Sequence, residues 1–188
     1  MTEHSIWLWL LCGWIAMEVA IALATRTRRG QGALADRGTQ LTMWVLIVTA
    51  FFAAGWMALP GAEIGLHRDA LRWCGLVLLI AGLVVRIAAI VTLGRAFSAN
   101  VAIRKEQTVQ RAGLYRFVRH PSYLGMEIVF LAAGLHAHNW ISLAILLVLP
   151  TAGVLMRIRV EEAALVKAFG EEYTEYMRTT KRLIPGVY

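Results

Sequence analysis

Charged residues are scarce in this chain of 188 residues. They make up 16% of it, against roughly a quarter of an average soluble domain, whereas hydrophobic residues make up 59%. So few charges argue against a soluble globular domain. The composition instead favours a protein that lies in lipid.

Several signatures of other protein classes are missing as well. The sequence has no zinc-finger spacing, RNP motif or basic helix-turn-helix, so its net charge of +7 does not indicate nucleic-acid binding. The basic residues flank apolar segments, where anionic membrane lipids are the nearer partner. The two cysteines, Cys12 and Cys74, lie in different apolar segments and are interpreted as packing residues. Two histidines at 136 and 138 without a third ligand predict no metal site.

Long apolar segments are what the chain does contain. Residues 5–24, 41–59 and 70–93 each approach the roughly 20 residues that cross a bilayer as a helix. A short turn at 136–139 then separates two further apolar pieces, which predicts a helical hairpin whose first arm is short. The expected fold is all-α, with five transmembrane helices, a cytoplasmic cap and an amphipathic C-terminal helix over about 158–169 that breaks at Gly170.

Basic residues concentrate in two connections, 25–40 and 94–121, whereas the alternate connections contain few. The positive-inside rule therefore predicts that the N-terminus is outside and that both basic connections and the tail are cytoplasmic. We divide the chain into three N-terminal helices, 1–93, and a second region, 94–188, which comprises the connecting loop, the hairpin and the C-terminal helix.

Polar residues gather at both ends of the predicted hairpin, in "RHPSYLG" at 119–125 and "RIRVEE" at 157–162. An antiparallel hairpin would bring together Arg119, His120, Tyr123, Arg157, Glu161 and Glu162. Such a set suits a zwitterionic or polyhydroxyl ligand. Adjacent helical residues point about 100° apart, so one glutamate should contact the ligand and the other support it. The alternatives are a membrane-edge turn before Pro121 and a solvated glutamate pair.

Three ionisable residues, Glu18, Arg86 and Glu127, lie inside apolar segments, where charge is costly. Arg86 is expected either to pair with Glu18 or Glu127 or to contact a substrate. Gly125 allows either close helix packing or close approach of a ligand.

The segments "GLYRFVRHPSYLG" and "EEAALVKAFGEEYTEY" resemble the isoprenylcysteine carboxyl methyltransferase family, in the same order and spacing. The resemblance covers about residues 94–185. It implies S-adenosylmethionine bound between the hairpin and the cap, and a lipophilic acceptor that enters from the bilayer. The extra N-terminal spans of the eukaryotic enzymes are lacking, and "VQR" at 109–111 replaces their "LVT". These departures favour a bacterial or archaeal type in the cytoplasmic membrane rather than an enzyme for prenylated proteins.

Site residues follow from this resemblance by position. The cofactor-binding residues would be Gln107, Gly113, Tyr115, Arg119, His120, Pro121, Tyr123, Gly125, Glu161 and Glu162. Arg157 and Glu127 are the candidate catalytic residues. The acceptor would be an isoprenoid- or lipid-like carboxylate, thiol or amine. Rival functions are a phospholipid N-methyltransferase, an NADPH-dependent sterol-type reductase and a non-enzymatic membrane protein, and the oligomeric state is open.

Overall fold

A computed structural model describes residues 3–24, 33–34, 38–97, 102–103 and 107–188. Most of these residues belong to six helices: α1 (Glu3–Ala24), α2 (Thr39–Trp56), α3 (Arg68–Leu93), α4 (Pro121–His136), α5 (Trp140–Phe169) and α6 (Glu171–Thr179). Short 3-10 helices span Gly94–Ala96 and Gly113–Arg116, and β1 (Ala33–Leu34) pairs antiparallel with β2 (Ala102–Ile103). The predicted all-α class is confirmed, apart from this two-residue strand pair.

Among the described residues, four helices are long and apolar enough to cross a membrane: Ser5–Ala24, Thr39–Trp56, Arg68–Leu93 and Trp140–Phe169. Many of their outward side chains are large and apolar, as with Trp9 at 72% and Trp56 at 91% exposure. The fourth predicted segment forms α4, which has 16 residues. Its length of about 24 Å falls short of a hydrocarbon core about 30 Å thick.

The α2–α3 connection and the α4–α5 turn lie at the same end of the helices. The Ile64 amide donates to the His138 carbonyl at 2.9 Å, and the Trp140 amide donates to the Ala62 carbonyl at 2.8 Å. The Asn139 side chain begins α5 by accepting hydrogen bonds from the next backbone amides. The short turn therefore joins α4 to α5 where the sequence places it.

Helix α5 continues through Pro150 to Phe169 without interruption. The predicted amphipathic segment, 158–169, is therefore the last part of a long helix rather than a separate element. Its predicted break at Gly170 is present, where a φ of 55° favours glycine. Many of the basic residues that set the predicted orientation fall in 25–32, 35–37 and 104–106, outside the described residues.

Helices α3 and α4 approach each other through two glycines. A Cβ atom on Gly125 would lie 2.7 Å from the Arg86 amide nitrogen and 2.8 Å from the Gly82 carbonyl oxygen. A Cβ on Gly82 would in turn lie 2.8 Å from the Gly125 carbonyl oxygen. Small residues of this kind let helix backbones meet directly. Of the two uses open to Gly125, the structure supports helix packing.

Replacement of Gly125 by alanine should separate α3 from α4. Because the new methyl group would meet backbone atoms, we expect the free energy of unfolding to fall by about 1–3 kcal/mol. Gly13→Ala in α1 is the matched control, since nothing lies within 4 Å of a Cβ at that position. Unfolding by denaturing detergent in mixed micelles measures both. Equal stability of the two variants would contradict the proposed packing role.

Candidate active site

A cavity opens at the end of the helices opposite the α4–α5 turn. Side chains from all six helices line it. Its polar wall comes from α4, α5, α6 and the segment before α4, and includes Gln107, Arg119, His120, Tyr123, Arg157 and Glu161. Apolar side chains of α1 and α2 form another part: Ile21, Ala22, Met43 and Trp44.

The adjacent glutamates of α5 point in different directions, as helical geometry requires. Glu161 lines the cavity, and its Oε2 accepts a hydrogen bond from the Tyr123 hydroxyl at 2.9 Å. Glu162 lies outside the lining and is 4% exposed. Its Oε1 accepts from Arg119 Nε at 2.9 Å, and its Oε2 accepts from Arg182 Nε at 2.9 Å. Glu161 is therefore available to a ligand, while Glu162 is held by arginines.

Arg119 and His120 are fixed by both their backbone and their side chains. The Arg119 guanidinium also donates to the carbonyls of Met177 and Thr180 at the end of α6, where a cation stabilises a helix. His120 Nε2 lies 3.3 Å from Glu162 Oε1. Both residues border the cavity, but these contacts show that Arg119 also holds the end of α6 in place.

Three tyrosines, Tyr115, Tyr173 and Tyr176, line the side of the cavity next to α6. Burial raises the pKa of Tyr176 to about 12, and it raises the pKa values of Tyr115 and Tyr173 well above their usual range. All three are therefore neutral near pH 7. The Tyr176 hydroxyl donates to the Tyr115 carbonyl, and the Tyr115 hydroxyl donates to the Ala89 carbonyl at 3.3 Å. The tyrosines thus connect α6 and the 113–116 turn to α3.

Residues 107–110 also border the cavity, and two neighbouring side chains hold this segment in place. Gln110 Nε2 donates to the Thr92 carbonyl at 3.0 Å, so the segment is fixed to the end of α3. Arg111 Nη2 donates to the Glu172 carbonyl at 2.8 Å, which fixes it to α6. The unusual "VQR" at 109–111 therefore supplies the contacts that anchor this wall of the cavity.

A buried ion pair lies at the inner part of the cavity. Arg86 Nε and Nη2 donate to the two oxygens of Glu18, each at 2.8 Å. Arg86 Nη1 also donates to the backbone and hydroxyl oxygens of Ser122. Glu18 and Arg86 are 4% and 5% exposed, and both line the cavity. Of the partners open to Arg86, the structure gives Glu18, and the pair joins α1 to α3.

Glu18→Gln should destabilise the protein more than the loss of a surface charge. The substitution leaves Arg86 with a neutral partner in a buried site, which costs about 3 kcal/mol in the free energy of unfolding. Asp69→Asn is the control, because its contact with Arg72 is 3.8 Å long and solvent-exposed; such pairs contribute about 0–1 kcal/mol. Detergent unfolding compares the variants. A change no larger than that of the control would show that the pair does not hold α1.

The cavity contains many, but not all, of the predicted site residues. Those that line it are Gln107, Tyr115, Arg119, His120, Tyr123, Arg157 and Glu161. Five lie outside the lining: Gly113, Pro121, Gly125, Glu127 and Glu162.

Glu127, a candidate catalytic residue by resemblance, lies outside the lining of the cavity. It lies away from the cavity, its Oε2 accepts a hydrogen bond from Thr151 at 2.7 Å, and Oε1 has no donor among the described residues. The structure therefore does not support a contact between Glu127 and a ligand in this cavity. The position of Glu127, on the helix face turned toward Thr151 of α5, explains the difference.

Among the described residues no group of three or more His, Cys, Asp or Glu side chains is arranged to hold a metal ion.

Sequence reasoning missed two parts of the site. The apolar residues of α1 and α2 belong to segments without a motif, and only the costly charge of Glu18 gave a signal there. Tyr173 and Tyr176, which lie beyond the two polar clusters of the hairpin, are buried and also line the cavity. For Arg182, no sequence pattern indicated a role beyond that of its positive charge.

Comparison with known proteins agrees with this arrangement. The profile of the isoprenylcysteine carboxyl methyltransferase (ICMT) family matches residues 75–167. Residues 75–167 of the chain therefore resemble this family. The matched residues include most of α3, all of α4 and most of α5, and therefore much of the polar wall of the cavity. Together with the four long apolar helices among the described residues, this similarity indicates an integral membrane protein.

Named relatives include plant, fungal and bacterial proteins. Protein-S-isoprenylcysteine O-methyltransferase A of Arabidopsis thaliana is 34% identical over 115 residues, which cover 60% of this chain and 58% of the relative. The Saccharomyces cerevisiae protein-S-isoprenylcysteine O-methyltransferase is 38% identical over 133 residues, 68% of this chain and 56% of the relative. Methanethiol S-methyltransferase 1 of Bradyrhizobium diazoefficiens is 36% identical over 89 residues, 46% of this chain and 30% of the relative.

These matches cover the relatives only in part. The chain spans about three fifths of the length of the Arabidopsis protein, at 58%, and 65% of a Dictyostelium discoideum relative with the same activity in its name.

Proposed function

We propose that this chain is a membrane-embedded methyltransferase that uses S-adenosylmethionine and acts on a lipophilic acceptor from the bilayer. The observation that carries the proposal is the cavity, in which polar side chains of the ICMT-matched region face apolar side chains of α1 and α2. Relatives named for methyl transfer to isoprenylcysteine and to methanethiol support the reaction type.

The residues of the polar wall fit the chemical groups of S-adenosylmethionine. Glu161 offers a carboxylate that accepts hydrogen bonds from ribose hydroxyls or an ammonium group. Arg119, His120 and Gln107 border the same space, and Tyr115 adds an aromatic surface. These side chains would hold the cofactor, which supplies an activated methyl group when bound.

The chain's own contribution to the reaction is alignment and exclusion of water. The buried side chains of Arg86, Arg157 and Glu18 line the inner cavity, where Arg157 is 1% exposed and its Nη1 donates to Thr39 at 3.1 Å. Arg157 would orient an anionic acceptor. A carboxylate acceptor is ionised at neutral pH and needs no base. A thiol or amine acceptor must lose a proton, for which His120 and Glu161 are the bordering candidates.

The acceptor in this proposal is an isoprenoid- or lipid-like molecule with a carboxylate, thiol or amine. The apolar wall formed by Ile21, Met43 and Trp44 supports an acceptor with a substantial apolar part. Residues 94–188 form the catalytic region, and the helices of 1–93 complete the wall for the acceptor.

The proposed topology has five transmembrane segments in the cytoplasmic membrane of a prokaryote. Helix α4, which is shorter than a full span, makes the fourth, and α4 and α5 form the hairpin. The N-terminus is outside, and the cavity mouth faces the cytoplasm. The basic residues near the cavity end, including Arg111 and Arg116, support this orientation.

Cysteine labelling tests the topology. Gly65→Cys and Thr108→Cys, each in a chain with Cys12 and Cys74 replaced by alanine, should react with an impermeant thiol reagent from opposite sides of the membrane. We expect Gly65→Cys to be labelled in intact cells and Thr108→Cys only after permeabilisation. Labelling of both from one side would refute the five-segment topology.

Calorimetry on the purified protein tests the cofactor. We expect binding of S-adenosylmethionine and S-adenosylhomocysteine but not of NADPH. Glu161→Gln should weaken cofactor binding about 10- to 100-fold, the effect of losing a charged hydrogen-bond partner. Its stability without ligand should be close to that of the wild type, since glutamine still accepts from Tyr123.

Glu162→Gln provides the matched comparison on the neighbouring residue. It leaves Arg119 and Arg182 without their shared carboxylate, so the free energy of unfolding should fall by about 2–3 kcal/mol. Preferred binding of NADPH by the wild type would instead support a reductase. Normal cofactor affinity of Glu161→Gln would remove Glu161 from the site. Transfer of labelled methyl groups to membrane lipids and small thiols then identifies the acceptor class.

A further inference from the structure

The C-terminal tail runs beside the motif at 119–125. Val118 and Lys181 form a parallel β-bridge. The Arg119 amide donates to the Lys181 carbonyl at 2.8 Å, and the His120 amide donates to the Arg182 carbonyl at 3.0 Å. The tail lies beyond the region matched by the family profile, which ends at residue 167. Residues outside that region therefore fix the backbone of two cavity residues.

The Arg182 side chain also contacts Glu162, which lies beside His120. Its Nε donates to Glu162 Oε2 at 2.9 Å, while the other oxygen of Glu162 faces Arg119 and His120. The Tyr188 hydroxyl accepts from Arg182 Nη1 at 2.8 Å, and the Tyr188 ring lies 5.4 Å from the guanidinium carbon. Arg182 therefore connects an otherwise exposed part of the tail to the buried carboxylate beside His120.

We infer that Arg182 is a positioning residue for His120 in the cofactor site, acting through Glu162. This inference rests on the proposed function. Because one carboxylate receives Arg119 on one oxygen and Arg182 on the other, its rotation is restricted. Oε1 is thereby kept 3.3 Å from His120 Nε2, which orients the imidazole at the cavity wall. Without Arg182, Glu162 would retain Arg119 but could rotate away from His120.

A purely structural role for Arg182 predicts a different result. The side chain is 30% exposed, so its removal leaves no buried cavity. Packing of the tail depends on its neighbour Leu183, which is 5% exposed. Loss of Arg182 should therefore affect the orientation of His120 more than the stability of the fold.

Affinity for S-adenosylhomocysteine in the purified full chain tests the inference. Arg182→Ala should weaken binding about three- to tenfold, less than the loss of a fully buried charged hydrogen bond because Arg182 is partly exposed. Arg182→Lys should recover part of this affinity by restoring the charge. Arg178→Ala is the control: it removes a cation from α6 whose partner, Glu175, is also exposed. The control should bind as the wild type does.

A double-mutant cycle shows whether Arg182 acts through His120. If it does, Arg182→Ala combined with His120→Ala should bind no more weakly than His120→Ala alone. Additive losses would overturn the inference, as would wild-type affinity of Arg182→Ala. A lower melting temperature with unchanged affinity would also overturn it and identify a structural role. Should Arg182→Ala not fold, the cycle is carried out with Arg182→Lys and judged by the same outcomes. Absence of binding by the wild type would instead overturn the proposed function, and this inference with it.

Discussion

The direct contact between Gly82 of α3 and Gly125 of α4 sets the geometry on which the cavity depends. Because the two backbones meet there, Arg86 lies opposite Ser122 at the start of α4. The same arginine binds Glu18 and thereby holds α1 against α3. A packing contact inside the apolar region thus determines where the inner wall of the cavity lies. The position of the other cavity residues therefore depends on that contact as well.

The neighbouring carboxylates of Glu161 and Glu162 have different environments in the polar wall. Glu161 faces the cavity and has Tyr123 as its hydrogen-bond partner, so it can accept further donors from a ligand. Glu162 points away from the cavity and pairs with Arg119 and Arg182. These pairs join α5 to the segment before α4 and to the tail. Buried carboxylates are costly unless paired. The two pairs compensate this cost and fix the orientation of the wall.

Sequence patterns predicted the first three helices, the turn before α5 and the break at Gly170, because apolar length and glycine conformation are local properties. They also identified the motif residues that line the cavity. They left open which glutamate faces the cavity, since that depends on how α5 is rotated against α4. Glu127, a candidate catalytic residue by resemblance, lies outside the cavity lining. The contributions of Met43, Trp44 and Arg182 required knowledge of contacts between distant segments, which no local pattern contains.

The cavity wall comes from three parts of the chain. Residues 75–167 provide the motifs similar to the family, Ile21, Ala22, Met43 and Trp44 come from the first two helices, and Tyr173 and Tyr176 come from α6. In the proposed enzyme the polar residues around Glu161 meet the methyl donor, whereas the side chains of the first two helices meet the apolar part of the acceptor. Mutations in α1 and α2 can therefore alter the range of acceptors without disturbing the chemistry of the donor.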